Sequence, residues 1–492
     1  MGPSASRSTG REGGLMSTTE PAGDATTARS GGGPGALDHL ARRAREVLDD
    51  NWIGASTLPS KSLYPHQWSW DSAFIAIGRS WYDQERAQQE LRSLFRAQWA
   101  NGMVPHIVFN PSVPADAYFP GPDFWQSSAL SANAPRDVET SGITQPAIHA
   151  RAALEMHRHA TDVDGSIAFL RWFYPRLVAQ HRYLLDLRRP TGTRLSVMVH
   201  PWESGLDNSP AWDRALNELV IPPGGVPPYT RRDLAHGDPK DRPTNEAYDR
   251  FVYLAATYRN GGYDDHRLDE IAPYRIAGPL FDGILVWSLE ALAELATVIG
   301  EDPTPHREDA ADVHDAILSE LWDAPTGRMS ALDVSRGERS VEDTIVSFVP
   351  LLDPNLPTQV VDDIVADLRS ASFHPDLARG FVIPSFDLKS AEFDERRYWR
   401  GPVWINTNWL LWHGLRQHGH DSLADEIAAS SLRLVAHSGF HEYFDPLDGR
   451  GFGTDRFGWS AALTIDVIEQ LDVSARSAVE DRIAGDAAYF GT

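Results

Sequence analysis

From Leu37 onward, apolar residues recur at helical spacing in one segment after another. In LFDGILVWSLEALAELATVIG the stripe at i, i+3, i+4 and i+7 is wide enough to be buried on most sides. Leu40, Ala44 and Leu48 share one face of a first helix. Further helical segments lie near 83–100, 144–160, 166–188, 245–259, 279–299, 307–322, 357–370, 403–418, 422–437, 459–471 and 476–488. About a dozen helices are therefore expected, and the fold class is all-α. RLSVMVH, ending at His200, is the best strand. The connections are long, aromatic and rich in Gly and Pro, and long connections inside a compact domain usually carry function. No motif returns at a fixed period, which disfavours a regular solenoid.

Charge and composition narrow the partners. The chain of 492 residues can bury a sizeable core, and its formal charge of −24 argues against nucleic acid or an anionic membrane. A small anion can still bind where a few arginines gather. Without cysteine there are no disulfides and no thiolate-held metal. No run of about 18 apolar residues offers a membrane span. Residues 1–36 are rich in Gly, Ser, Thr and Ala, have almost no large apolar residue, and are expected to be disordered. They also lack the apolar core of a secretory signal, which makes a cytoplasmic location the expectation. Met16 is an alternative start to Met1. HExxH, EF-hand and Gly-rich phosphate motifs are missing, and neither cofactor nor metal is expected. A homo-oligomer is compatible with the sequence.

Two loops carry carboxylates in unusual company. HPWESGLDNSP, from His200, places Glu203 and Asp207 beside Trp202 in a segment broken by Gly205 and two prolines. A carboxyl group against an indole loses solvation, and its pKa rises until it can act as an acid near neutrality. The alternative is a surface turn with a hydrogen-bonding Asp. The second loop, HEYFDPLDGRGFG from His441, again sets a carboxylate, Glu442, among aromatics. Glycoside hydrolysis in its commonest form needs two carboxyl groups flanking one bond. By spacing alone the pairing is weak.

Tryptophan is the third signal. The sixteen Trp gather in loop motifs rather than in helix stripes. Flat sugar faces pack on aromatic rings, although many of these indoles will simply be core. YPHQWSWD, from Tyr64, alternates Trp with His, Gln and Asp, and core segments rarely do so because buried polar groups need partners.

The motifs YPHQWSWDSAF, NGMVPH, TQPAIHA, HPWESGLDNSPAWD, RRYWRGPVWINTNWLLWHGL and HEYFDPLDGRGFG together resemble glycoside hydrolase family 63. Within it they are most similar to the bacterial mannosylglycerate and glucosylglycerate hydrolases, over roughly residues 37–475. The resemblance implies an (α/α)6 barrel spanning residues 37–490, with lid loops near 107–140 and 208–275. It implies an inverting reaction, with Asp207 as acid and Glu442 as base, and it leaves Glu203 as a structural partner of its loop. By the same similarity Tyr64, Trp68, Trp70, Asp71, His106, Gln145, Trp202, Gly205, Tyr398, Trp399 and Trp404 surround the hexose. A second reading of Asp71 makes it the cap of a helix over 72–78. Arg242 and Tyr248, with Tyr118 from the earlier loop, are the best matches for holding an aglycone carboxylate; Arg231 and Arg232 are the other lid arginines.

The expected substrate is a small α-glycoside, glucosylglycerate first and mannosylglycerate or a trehalase-type α-glucoside after it. A sugar epimerase would want His bases flanking the sugar, and a non-catalytic sugar-binding protein would not need the acid–base pair.

Overall fold

The computed structural model describes residues 35–235, 239–375 and 380–490. The segment expected to be disordered therefore lies outside the described residues except for its last two, and Ala36 already opens a helix. The longer helices are α1 Ala36–Asn51, α2 Ser69–Ser80, α3 Gln84–Arg96, α4 His149–Arg158, α5 Val163–Arg182, α6 Asn245–Asn260 and α7 Pro279–Ile299. They continue with α8 Thr304–Ala316, α9 Thr358–Leu368, α10 Ile405–Gln417, α11 Asp421–Ser438, α12 Gly458–Gln470 and α13 Val473–Phe490. The protein is predominantly helical.

Burial sorts these helices into two sets. Every residue of α2 is buried, and α7 and α12 are buried over most of their circumference. Such helices belong inside. By contrast, α1 buries the stripe Leu37, Leu40, Ala41, Ala44, Val47, Leu48 and leaves its charged face to solvent. The contacts agree. Helix α2 packs on α4, α4 on α7, α7 on a 3-10 segment at Ile345–Leu352, that segment on α10, α10 on α12, and α12 returns to α2. Outside them, α1 lies against α12 and α2, α3 against α2, α5 against α4 and α7, α8 against α7, and α11 against α10.

Local chemistry sets the helix ends. Asp83, Asp162 and Thr244 cap α3, α5 and α6 through side-chain acceptors for the N–H groups of Arg86, Gly165 and Ala247. Pro279 opens α7, and Gly300 closes it with a positive φ. Two expected helices run over into π-turns, at Tyr183–Leu187 and Ile317–Leu321. The apolar run IVSFVPLL forms the 3-10 segment, since Pro350 has no N–H for a longer α-helix.

The strands are two residues long. Val197–Met198, from the stretch read as a strand, is the edge of a four-stranded antiparallel sheet, followed by Ile276–Ala277, Leu332–Asp333 and Glu338–Arg339. Gln67–Trp68 pairs with Ile107–Val108, and Tyr443–Phe444 with Gly451–Phe452. Each ladder fixes a loop where it enters the site. Among the described residues no helix is long and apolar enough to cross a membrane.

Candidate active site

The loop that follows Val197–Met198 is held by its own polar atoms. His200 Nδ1 accepts from the Trp202 N–H at 3.0 Å and starts a 3-10 turn over Pro201–Ser204. Gly205 ends it at φ +73°, and a Cβ there would stand 2.2 Å from the Trp70 ring. Only glycine permits both the turn and that approach. Glu203 points away from the cavity. It is fully buried and ion-paired with Arg188, and it accepts from the N–H groups of Val199 at 2.6 Å and Thr144 at 3.1 Å. This is a structural carboxylate.

Asp207 lines the cavity. Burial pushes its carboxyl up to about 7, against the pull of the Arg242 guanidinium and with help from the charges of Glu442 and Asp233. It is therefore protonated below neutrality and able to donate.

Glu442 faces the same cavity from the other loop. Its Oε1 accepts from the hydroxyls of Tyr64 at 2.7 Å and Tyr398 at 3.2 Å. Its Oε2 accepts from Arg242 at 3.2 Å and from the Thr454 N–H at 3.3 Å. Gly453, at φ +71°, makes room for it, since a Cβ there would come 2.2 Å from Oε2. Four donors fix the orientation of this carboxylate.

Aromatic and polar groups complete the wall. Trp68 meets Tyr64 and Tyr118 edge-on, with ring centroids 5.2 and 5.3 Å away. His106 lies parallel to Trp202 at 6.4 Å and is tied through Nδ1 to Ser141 at 3.0 Å; burial lowers its pKa to about 3, so it stays neutral. The side chain of Gln145 accepts from the Trp70 N–H at 3.2 Å. Helix α2 begins at Ser69, which puts Asp71 inside its first turn rather than ahead of it, without a capping bond. Asp71 lines the cavity, and burial raises its carboxyl well above the usual range.

The structure thus brings Tyr64, Trp68, Trp70, Asp71, His106, Tyr118, Gln145, Trp202, Gly205, Asp207, Arg242, Tyr248, Tyr398 and Glu442 to one cavity. Trp399 and Trp404 do not line it. Both are fully buried and stacked face to face at 3.7 Å, with Trp404 donating to the Tyr398 carbonyl at 3.0 Å. They support Tyr398 from behind.

Arg231, Arg232 and Arg242 differ in placement. Arg242 is buried against Glu442 and stands over the Tyr398 ring at 4.9 Å. Arg231 is gripped by Asp233 at 2.6 Å and covers Tyr248 at 4.4 Å. Arg232 is exposed and pairs with Asp116 at 3.4 Å.

Asp233 and Trp459 also line the cavity, and neither stands out in the sequence. Asp233 is hidden there by the arginines before it in its loop. Trp459 stands in the first turn of α12, as Trp70 does in α2, a correspondence that could have found it. Its indole N–H is buried and meets no acceptor among the described residues. Among those residues no cluster of metal-ligating side chains occurs.

Known proteins share this arrangement of chain. Residues 64–460 match the family model of the mannosylglycerate hydrolase MGH1-like glycoside hydrolase domain. A mannosylglycerate hydrolase of Rubrobacter radiotolerans is 42% identical over 432 residues, covering 88% of this chain and 97% of the relative. A glucosylglycerate hydrolase of Mycolicibacterium hassiacum is 38% identical over 444 residues, covering 87% and 97%. The crystal structure of a GH63 mannosylglycerate hydrolase from Thermus thermophilus, in complex with Tris and D-glycerate, matches with a TM-score of 0.79 at 40% identity, over 87% of this chain and 99% of that one.

Proposed function

The chain belongs to the MGH1-like glycoside hydrolases of family 63, and on that premise we propose that it cleaves 2-O-(α-D-glucosyl)-D-glycerate to glucose and glycerate. One observation carries the reading: Asp207, a carboxyl raised to about 7, shares an aromatic cavity with Glu442, a carboxylate held by four donors.

In the reaction Asp207 gives its proton to the glycosidic oxygen as the bond to the anomeric carbon breaks. Glu442 takes a proton from a water that attacks that carbon from the opposite face. The proton lost by Asp207 leaves on the glycerate hydroxyl, and the sugar is released with its anomeric configuration inverted. Asp71 is suited to accept from sugar hydroxyls, with His106 and Gln145 beside it and Trp68, Trp70, Trp202 and Tyr398 as ring faces. Arg242, with Tyr118 and Tyr248 as neutral donors, is assigned to the glycerate carboxylate. We read the closed sequence of inner helices as an (α/α)6 barrel forming one catalytic domain over 37–490, with the segments near 107–140 and 208–275 as its lid.

Mannosylglycerate is the second reading, favoured by the higher identity to the Rubrobacter radiotolerans enzyme. An epimeric hydroxyl changes a few hydrogen bonds and leaves the machinery alone. Glucosylglycerate, mannosylglycerate, glucosylglycerol and trehalose, assayed side by side for released reducing sugar, decide the matter. Glucosylglycerate should give the highest kcat/KM. A preference for the uncharged glucosylglycerol would remove glycerate as the aglycone while leaving the hydrolase.

A further inference from the structure

Arg242 does not wait in the cavity as an empty anion receptor. Its guanidinium meets Glu442 Oε2 at 3.2 Å, with both side chains almost fully buried. Through its other terminal nitrogen it donates to the Tyr64 hydroxyl at 3.1 Å, and that hydroxyl donates to Glu442 Oε1 at 2.7 Å. It also covers the ring of Tyr398, whose hydroxyl is the second donor to Oε1. Three of the four bonds that orient the base are therefore made by Arg242 or by a tyrosine that it touches. The lid is fastened at the same place. The carbonyl of Asp241 accepts from Tyr443 at 3.4 Å, next to the base in sequence, and its carboxylate pairs with Arg396 at 2.9 Å.

We propose that Arg242 is a positioning residue for the general base: delivered by the lid, it aligns Glu442 as a carboxylate, so that seating of the lid and arming of the base are one event. A guanidinium has five N–H donors, and the two bonds described use two of them, so the same group can also receive an aglycone anion. Recognition of the leaving half and activation of water are then coupled through one side chain. The inference rests on the hydrolase reading and adds to it a role that operates without any aglycone charge.

The charge environment fixes the sign of the effect. Glu442 is faced by Arg242 from the lid, by Tyr64, Tyr398 and Tyr443, by Tyr118 from the early loop, and by the carboxyls of Asp71 and Asp207. Arg242 is a cation in direct contact with it. Removing it leaves a buried carboxylate among acidic neighbours, which favours the protonated form and disables the base at higher pH than before.

α-D-Glucosyl fluoride tests this, with α-D-mannosyl fluoride beside it. The probe is uncharged and has no glycerate, and fluoride leaves with the bonding pair without needing a proton from Asp207. Water must still be deprotonated by Glu442 as its oxygen bonds to the anomeric carbon. For Arg242→Met, kcat on the fluoride should fall at least tenfold, and the acidic limb of its pH profile should move up by about one unit, in keeping with loss of one touching charge. Arg242→Lys should restore part of both. A merely structural arginine would lower the rate without moving the limb. Fluoride hydrolysis within twofold of wild type and an unmoved limb in Arg242→Met, or the same result in Arg242→Gln if the methionine variant does not fold, would overturn the proposal. Failure of the wild-type protein to cleave either fluoride or any glycerate glycoside would instead remove the hydrolase reading on which it stands.

Discussion

Asp207, the proposed acid, shows what a buried carboxyl costs its fold. An aspartic acid in water titrates near 3.8, whereas burial brings this one to about 7. Between those values the folded protein binds one more proton than the unfolded chain, so this residue's contribution to stability falls as pH rises through the window. Asp207→Asn removes the penalty together with the acid. The variant should lose about 10²–10⁴-fold in turnover. At pH 8 it should melt above the wild type, and the gap in Tm should close as pH falls below about 4. Equal melting curves at both pH values would show that Asp207 is solvated. The same shift predicts that wild-type turnover declines as pH rises through about 7. At this scale the sequence was readable where a residue's chemistry is odd for its surroundings. A carboxyl beside Trp202 and Gly205, or an Asp after two tryptophans, asks for an explanation by itself. Trp399 and Trp404 show the limit. An indole in a core and an indole in a sugar site look alike in sequence, and only the stack at 3.7 Å separates them.

The short turn from Pro201 to Gly205 owes its shape to a buried ion pair rather than to hydrogen bonds within the turn alone. Arg188 and Glu203 are both fully buried, and Glu203 also collects N–H groups from the strand before the turn and from Thr144. Removing one member strands a charge, and breaking such a pair destabilises by about 3–5 kcal/mol. Glu203→Ala should therefore lower the urea midpoint sharply at pH 7, whereas Asp207→Asn should not. The distinction matters because both carboxyls sit in one motif. A Glu203 variant with wild-type stability and no activity would make Glu203 a catalytic group instead. Elements with a long apolar period, such as α7 and α11, were legible to within a residue or two. The four-stranded sheet was not, apart from its first strand. Two-residue strands have no period to read, and their partners lie far along the chain. The 3-10 segment at Ile345–Leu352 is hidden for a related reason: eight residues, apolar but for a serine and a proline, suit several conformations.

At the scale of the molecule, the proposed acid comes from the loop before residue 210 and the proposed base from the loop after residue 440. They share one cavity, and α12, next to Glu442, packs back on α2, which begins within the YPHQWSWD motif. A chain that closes on itself can hold two distant carboxyls at a fixed separation, and that separation selects the stereochemistry. Carboxyls about 5–5.5 Å apart allow direct attack on the sugar and retention, whereas about 6.5–9.5 Å leaves room for a water and gives inversion. The acid–base reading of the pair implies the second course. From an α-glycoside, the first sugar released should be the β-anomer. A proton NMR time course resolves the anomeric signals before mutarotation mixes them. Early β signal, with α appearing only at the mutarotation rate, is the expected result. If the α-anomer came first, Glu442 would be a nucleophile, and a covalent glycosyl-enzyme should then be trapped with a slow-leaving fluorinated sugar.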